Sequence, residues 1–175
     1  MIENIHPGYN SVMVSLSSTA ELEKVKAHVS EVLKDMNSFS ADKPRTIEVP
    51  VAYGGSDGPD LEKIAKHSGL TPQDVIKRHS EGNYLVYFIG FSVGFPYLGG
   101  MDPVLATPRL SSPRKSVPKG AIGIAGSQTG IYPISSPGGW NLIGRTNLDI
   151  FNINAPDKSL LRMGDNLKFT PVNKF

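Results

Sequence analysis

The stretch "AIGIAGSQTGIYPISSPGGWNLIGRT", residues 121–146, decides how this chain folds. It holds three short apolar runs, "AIGIAG", "GIYPIS" and "NLIGRT". Each is bounded by Gly, Pro or Asn, the mark of brief strands separated by turns. A further run, "LKFTPV", follows "MGDNL", which reads as a tight turn with Asp165 as a turn residue. Short strands at this spacing, after a helical pair, predict a small barrel or sandwich with helices on one side.

Upstream, "YLVYFIG" (84–90) is a continuous apolar run and predicts a fully buried strand. Before it lie two helices. One starts near Pro59, turns Leu61, Ile64 and Ala65 inward and stops at Gly69. The other starts at Thr71 with Pro72 in its first position and Asp74 placed to close a cap. It carries Val75, Ile76 and His79 and ends near Gly82. "RTIEVPVAY" (45–53) reads as a strand in which Pro50, lacking an N–H, marks an edge or a bulge. "SVMVSL" (11–16) alternates as a half-buried strand. A helix with an apolar stripe from Leu22 to Met36 follows it, and Ser18 and Glu21 stand at capping-box spacing. Residues 37–44 read as a linker. Residues 99–120 show no period at all. One strand and one helix cannot bury both faces, so residues 1–44 form a partial α+β segment and residues 45–175 a barrel domain.

The totals narrow the function classes. The chain has 175 residues, 39% hydrophobic and 19% charged, enough to build a core. A net charge of +2 gives no bulk attraction to nucleic acid or to an anionic membrane. The absence of cysteine excludes a disulfide framework, a thiolate nucleophile and cysteine-ligated zinc. The four histidines have no metal-ligand spacing, so no metal is expected. No secretory signal or membrane-length apolar run is visible, and a cytoplasmic location is expected.

Three groups of residues carry candidate chemistry. Arg109 and Arg114 each follow a proline in the aperiodic stretch, and Arg145 lies in "LIGRT". Rigid guanidinium forks suit a carboxylate or a phosphate, while the alternative for any one of them is pairing with an internal acid or a backbone carbonyl. Trp140, the single Trp, follows Gly138 and Gly139 and either floors a pocket or plugs the core. His79 precedes the apolar strand and reads as a general acid/base, or as an imidazolium favoured by a helix C-terminus. No P-loop, dinucleotide fingerprint or Ser-His-Asp order is present.

The strings "HSEGNYLVYFIGFSVGFPYLGG", "PRLSSPRKSVPKGAIGIAGSQTGIYP" and "SPGGWNLIGRT" together resemble the family known as allophanate hydrolase subunit 1, KipI or the 5-oxoprolinase B subunit. The resemblance runs over residues 45–169. Val93 departs from it, standing where the family's glycine-aromatic motif has Pro. It implies a mainly β fold, with a cyclophilin-like β-barrel preceded by an α+β unit of which residues 1–44 match only the latter half, a partial ferredoxin-like segment. It also implies that the chain works within a complex. A larger cyclophilin-like partner, of the type called allophanate hydrolase subunit 2 or the 5-oxoprolinase C subunit, acting with ATP, would open 5-oxoproline to glutamate. The alternatives in the family are an inhibitor that binds a sensor histidine kinase and a subunit of a urea amidolyase. A homo-oligomer is a further expectation, because the partial segment leaves a strand edge and an apolar helix face uncovered. Carried over by motif, the pocket residues are Phe95, Tyr97, Arg109, Arg114, Gln128, Tyr132, Trp140 and Arg145, with His79 as the candidate catalytic group.

Overall fold

The computed structural model describes residues 2–19, 21–35, 44–90 and 92–175, in two compact units, Met1–Pro44 and Arg45–Phe175. In the first unit, strands β1 (Ile2–Pro7) and β2 (Val12–Leu16) form an antiparallel hairpin, followed by helix α1 (Leu22–Lys34). The sequence reading expected β2 and α1 but not β1. A register shift between Ile2 and Asn4 breaks the period-two pattern by which a strand is recognised. The Ser18–Glu21 capping box does not form. Glu21 is itself the N-cap of α1, without a side-chain cap bond, and its carboxylate accepts from Lys24 Nζ at 2.9 Å. Met36 and most of the expected linker lie outside the described residues.

The second unit is a closed seven-stranded barrel with two helices. Its strands are β3 (Thr46–Tyr53), β4 (Tyr84–Ile89), β5 (Pro96–Gly99), β7 (Ala121–Ala125), β8 (Gln128–Ile131), β10 (Asn141–Arg145) and β11 (Asn166–Val172). Around the ring the order is β10-β3-β11-β4-β5-β8-β7. Strands β3 and β11 pair in parallel along their length, and all other barrel pairs are antiparallel. A two-stranded sheet of β6 (Arg114–Val117) and β9 (Ser136–Gly138) completes the unit. The mainly β barrel expected from the short strands is therefore present.

Helices α2 (Leu61–Ser68) and α3 (Pro72–Glu81) follow their sequence signals closely. Leu61, Ile64 and Ala65 are buried, and Gly69 caps α2 in the left-handed conformation at φ 69°. Thr71 Oγ1 accepts from Asp74 N while the Asp74 carboxylate accepts from Thr71 N, a complete capping box with Pro72 behind it. Pro50 also sits where its missing donor is harmless, since β10 pairs with β3 only at Ala52 and Tyr53. Strand β4 departs from expectation. Tyr84 and Val86 are buried but Leu85 and Tyr87 are exposed, because one face of a barrel strand points to the interior and the other outward. Among the described residues no helix is long and apolar enough to cross a membrane.

The barrel supports two apolar layers. Inward residues such as Val49, Val51, Val86, Leu98, Ile122, Ile124, Ile131, Ile143 and Phe169 join residues of α2 and α3 in the main core. A second cluster of Phe95, Val117, Ala121, Ala125, Tyr132, Trp140 and Leu142, with Tyr97 against it, includes residues of the opposite face of β7 and covers part of the outer wall. Of the candidate residues it holds Phe95, Tyr132 and Trp140, with Tyr97 against it.

Candidate functional site on the outer barrel wall

Two glycines make room for this second layer. Gly123 of β7 and Gly130 of β8 are directly paired, so they point to the same side of the sheet. A Cβ on Gly130 would lie 2.7 Å from the Phe95 ring, and one on Gly123 would lie 2.9 Å from Trp140 Cβ. The bare backbone at this pair lets the aromatic residues lie directly on the wall. Phe95 meets Tyr132 edge-on at 5.2 Å and Trp140 at 5.3 Å between ring centroids, and Tyr97 lies 5.0 Å from Phe95 and 5.9 Å from Trp140. Phe88 stacks on Tyr97 from the other side at 5.6 Å. Phe95, Tyr132 and Trp140 are buried, and Tyr97 is half-buried at the margin. Trp140 thus packs in a core layer beneath the candidate surface. Gln128 pairs with Ala125 of the same cluster and so stands on the same face.

The three arginines, equivalent in sequence, separate in the structure. Arg114 is structural. Its Nη2 donates to Asp60 Oδ1 at 2.8 Å and its Nη1 to the Trp140 carbonyl at 3.3 Å. The other Asp60 oxygen accepts from Leu142 N at 2.6 Å, so one half-buried ion pair ties β6 and β10 to the start of α2. Arg145 faces Asp57, with Nε 3.7 Å from Oδ1, and lines a separate cavity of about 400 Å³ together with Lys119, Thr146 and Asp149.

Arg109 is exposed and, among the described residues, forms no ion pair. Its charge reaches the aromatic margin. Burial pushes the phenols of Tyr97 and Tyr132 up from their ordinary range, and Arg109 opposes that shift in both. The backbone around it is held on each side. Thr107 exchanges a pair of hydrogen bonds with Gly126, and Leu110 N donates to the Gly139 carbonyl at 2.8 Å. The Pro108 carbonyl accepts from Asn141 Nδ2 at 2.8 Å. The sequence reading missed Asn141. Nothing in "GGWNLIG" sets this asparagine apart from a turn residue, since its partners come from segments far away in the chain.

His79 is placed apart from this face. Its Nδ1 is 2.7 Å from Tyr53 Oη and its Nε2 is 3.0 Å from Thr129 Oγ1. Tyr53 belongs to β3 and Thr129 to β8, strands on opposite sides of the ring, so the imidazole lies in the barrel interior. The Thr129 hydroxyl donates to the Gly123 carbonyl at 3.0 Å, hence it accepts from Nε2–H, and Nδ1 accepts from Tyr53. The ring stacks on Phe169 at 4.5 Å, and burial pushes its pKa down to about 3. This neutral, fully bonded ring pins α3 across the barrel. It is neither the imidazolium expected at a helix end nor placed to exchange protons with a ligand on the outer wall.

Asp165, expected as a turn residue, does more. Its buried carboxylate accepts from Arg45 Nε at 2.9 Å and from Arg162 N at 2.8 Å, fastening the start of β3 beside the turn before β11. Among the described residues, no three His, Asp or Glu side chains converge as metal ligands. The outer face thus carries the exposed Arg109, whose charge acts on the phenols of Tyr97 and Tyr132, and Gln128 beside the aromatic layer.

Comparison with known proteins agrees with this architecture. The family model described as carboxyltransferase domain, subdomain C and D, matches residues 1–161. The protein named as the B subunit of 5-oxoprolinase in Bacillus subtilis (strain 168) is 49% identical over 156 residues, covering 89% of this chain and 65% of its own length. Its namesake in Escherichia coli O157:H7 is 42% identical over 165 residues, covering 94% of this chain and 76% of its own. A crystal structure of a conserved uncharacterized protein from Pyrococcus horikoshii superposes with a TM-score of 0.72 at 44% identity, covering 99% of this chain and 80% of that one. This chain therefore spans about two thirds of the Bacillus relative, and it belongs to the carboxyltransferase-domain, subdomain C and D family, alongside the proteins named as 5-oxoprolinase B subunits.

Proposed function

We propose that this chain is one subunit of an ATP-dependent amidohydrolase that opens 5-oxoproline to glutamate, and that it works with a larger cyclophilin-like subunit. The observation that carries the reading is Arg109, exposed on a loop held from both sides and near enough for its charge to act on the Tyr97 and Tyr132 phenols. The names of the relatives support the substrate and the multi-subunit setting. The substrate is a small lactam ring bearing a carboxylate. A guanidinium meets a carboxylate through two parallel hydrogen bonds, and an aromatic margin covers the faces of a small ring. In the net reaction, water adds across the lactam C–N bond. The carbonyl carbon keeps the hydroxyl oxygen, and the ring nitrogen takes up a proton and becomes the free amine.

ATP, cleaved to ADP and phosphate in the same turnover, would supply the driving force by activating the lactam carbonyl. The residues of this face suit a carboxylate better than a triphosphate: Arg114 is committed to Asp60, and the glycine-rich loop 54–60 that opens α2 carries the acids Asp57 and Asp60 and lacks the lysine of a P-loop. The nucleotide is accordingly assigned to the partner. The role left to this chain is to hold the carboxylate at Arg109, orient the ring against Tyr97 and exclude water from one side. Reconstitution tests the reading. Partner subunits with this chain should form glutamate from 5-oxoproline only when ATP is present, and omission of the chain should abolish it. Equal glutamate formation without the chain would refute the proposal.

A further inference from the structure

We infer that Asn141, held by Lys63, is the positioning residue for Arg109. The inference rests on the functional reading above, and it concerns what fixes the site arginine in place.

A side chain's direction is set first by the φ and ψ of its own Cα, hence by the two peptide planes that flank it. Both planes around Arg109 are pinned. The preceding one carries the Pro108 carbonyl, which accepts from Asn141 Nδ2 at 2.8 Å. The following one carries Leu110 N, which donates to the Gly139 carbonyl at 2.8 Å. Proline at 108 lends the loop further stiffness through its fixed φ. Of the two pins, only the first is made by a side chain, so only it is specified by residue identity.

Both donor hydrogens of the Asn141 amide are committed, and the residue is entirely buried. Its Nδ2 also donates to the Ile124 carbonyl at 3.1 Å, bracing it on β7, and its Oδ1 accepts from Lys63 Nζ at 2.7 Å. An amide has two donor hydrogens and an oxygen with two lone pairs, and this arrangement uses both hydrogens and one lone pair. The lysine sets the sense of the amide, because an ammonium only donates and must face the oxygen. The NH2 group is thereby turned onto the Pro108 carbonyl. Lys63 lies on α2 one turn after Asp60, so the first turn of α2 governs both arginine segments, one through Asp60 and Arg114 and the other through Lys63 and Asn141.

The test is a double-mutant cycle in the reconstituted complex, with Asn141→Ala, Arg109→Ala and the double variant. Asn141→Ala should raise the KM for 5-oxoproline about tenfold, since a small misplacement of a clamp is costly. In the Arg109→Ala background the same substitution should change KM less than about twofold, whereas a loss of fold quality would carry over undiminished. Lys63→Met, on the exposed side of α2, should act in the same direction more weakly, and it serves if Asn141→Ala fails to fold. In the chain alone, the order parameter of the Arg109 backbone amide should fall from about 0.85 to below about 0.6 in Asn141→Ala. Equal KM effects in both backgrounds, or an unchanged order parameter, would overturn the inference. An Arg109→Ala complex with unaltered KM would sink the functional reading itself.

Discussion

Replacing His79 by Gln should remove a pH dependence of stability that the buried imidazole imposes. The ring is neutral in the folded chain, with its pKa lowered by burial to about 3, against 6.5 when it is exposed. The sign follows from proton uptake. Above pH 6.5 neither state binds the extra proton. As pH falls below 6.5 the unfolded chain binds it and the folded chain does not, so stability drops until the folded pKa is reached. Each pH unit costs about 1.4 kcal/mol, and the full window costs roughly 5 kcal/mol. Between pH 6.5 and pH 4 the loss is about 3 kcal/mol, a large fraction of a typical domain's stability. Two carboxylates with lowered pKa, Asp74 bonded by Thr71 and Asp102 bonded by the Val104 amide and Arg78, lose their contributions only at lower pH, and both proteins share them. Urea unfolding at half-unit steps from pH 7.5 to 4 reads the effect. His79→Gln should be less stable at pH 7.5, by about 1–3 kcal/mol for imperfectly replaced hydrogen bonds, yet nearly flat with pH above 4.5. Parallel curves for the two proteins would refute the placement of a neutral His79 in the barrel interior.

Two other substitutions probe the wall. Gly130→Ala should displace the Phe95 ring, destabilise the domain by roughly 1–3 kcal/mol and shift the emission of Trp140, the single Trp, because the new Cβ falls 2.7 Å from Phe95. Arg114→Ala should cost about 2–3 kcal/mol in chemical denaturation, since it leaves the Asp60 carboxylate buried with the Leu142 amide as its remaining partner. An unchanged midpoint in either variant would contradict the packing described for it.

What the sequence reveals here is whatever is encoded within one turn or one hairpin. The caps of α2 and α3 were legible because Thr71, Pro72, Asp74 and Gly69 act on backbone groups within four residues of themselves. The same rule misleads at Ser18, where Glu21 turns to Lys24 instead. Strands β6 and β9 escaped notice because "RKSV" and "SPG" pair with each other over a gap of about twenty residues and carry no apolar alternation. Strand β4 looked wholly buried because its outward Leu85 and Tyr87 are as apolar as its inward residues. The structure packs four of the motif's residues, Phe95, Tyr97, Tyr132 and Trp140, against one another. The motif could not rank the arginines, because the acids that occupy Arg114 and Arg145 lie more than fifty residues away at Asp60 and Asp57. Nor could it show that His79 points into the barrel, which depends on the closure of a ring between β3 and β8.

The most direct test of Arg109 as the carboxylate anchor is calorimetric titration of 5-oxoproline into the chain assembled with its larger partner, in the native form and as Arg109→Ala. Binding by the native assembly that weakens at least tenfold in Arg109→Ala, while Arg114→Lys with its ion pair to Asp60 retained binds normally, is the expected result. Equal affinity in the native and Arg109→Ala assemblies would contradict it.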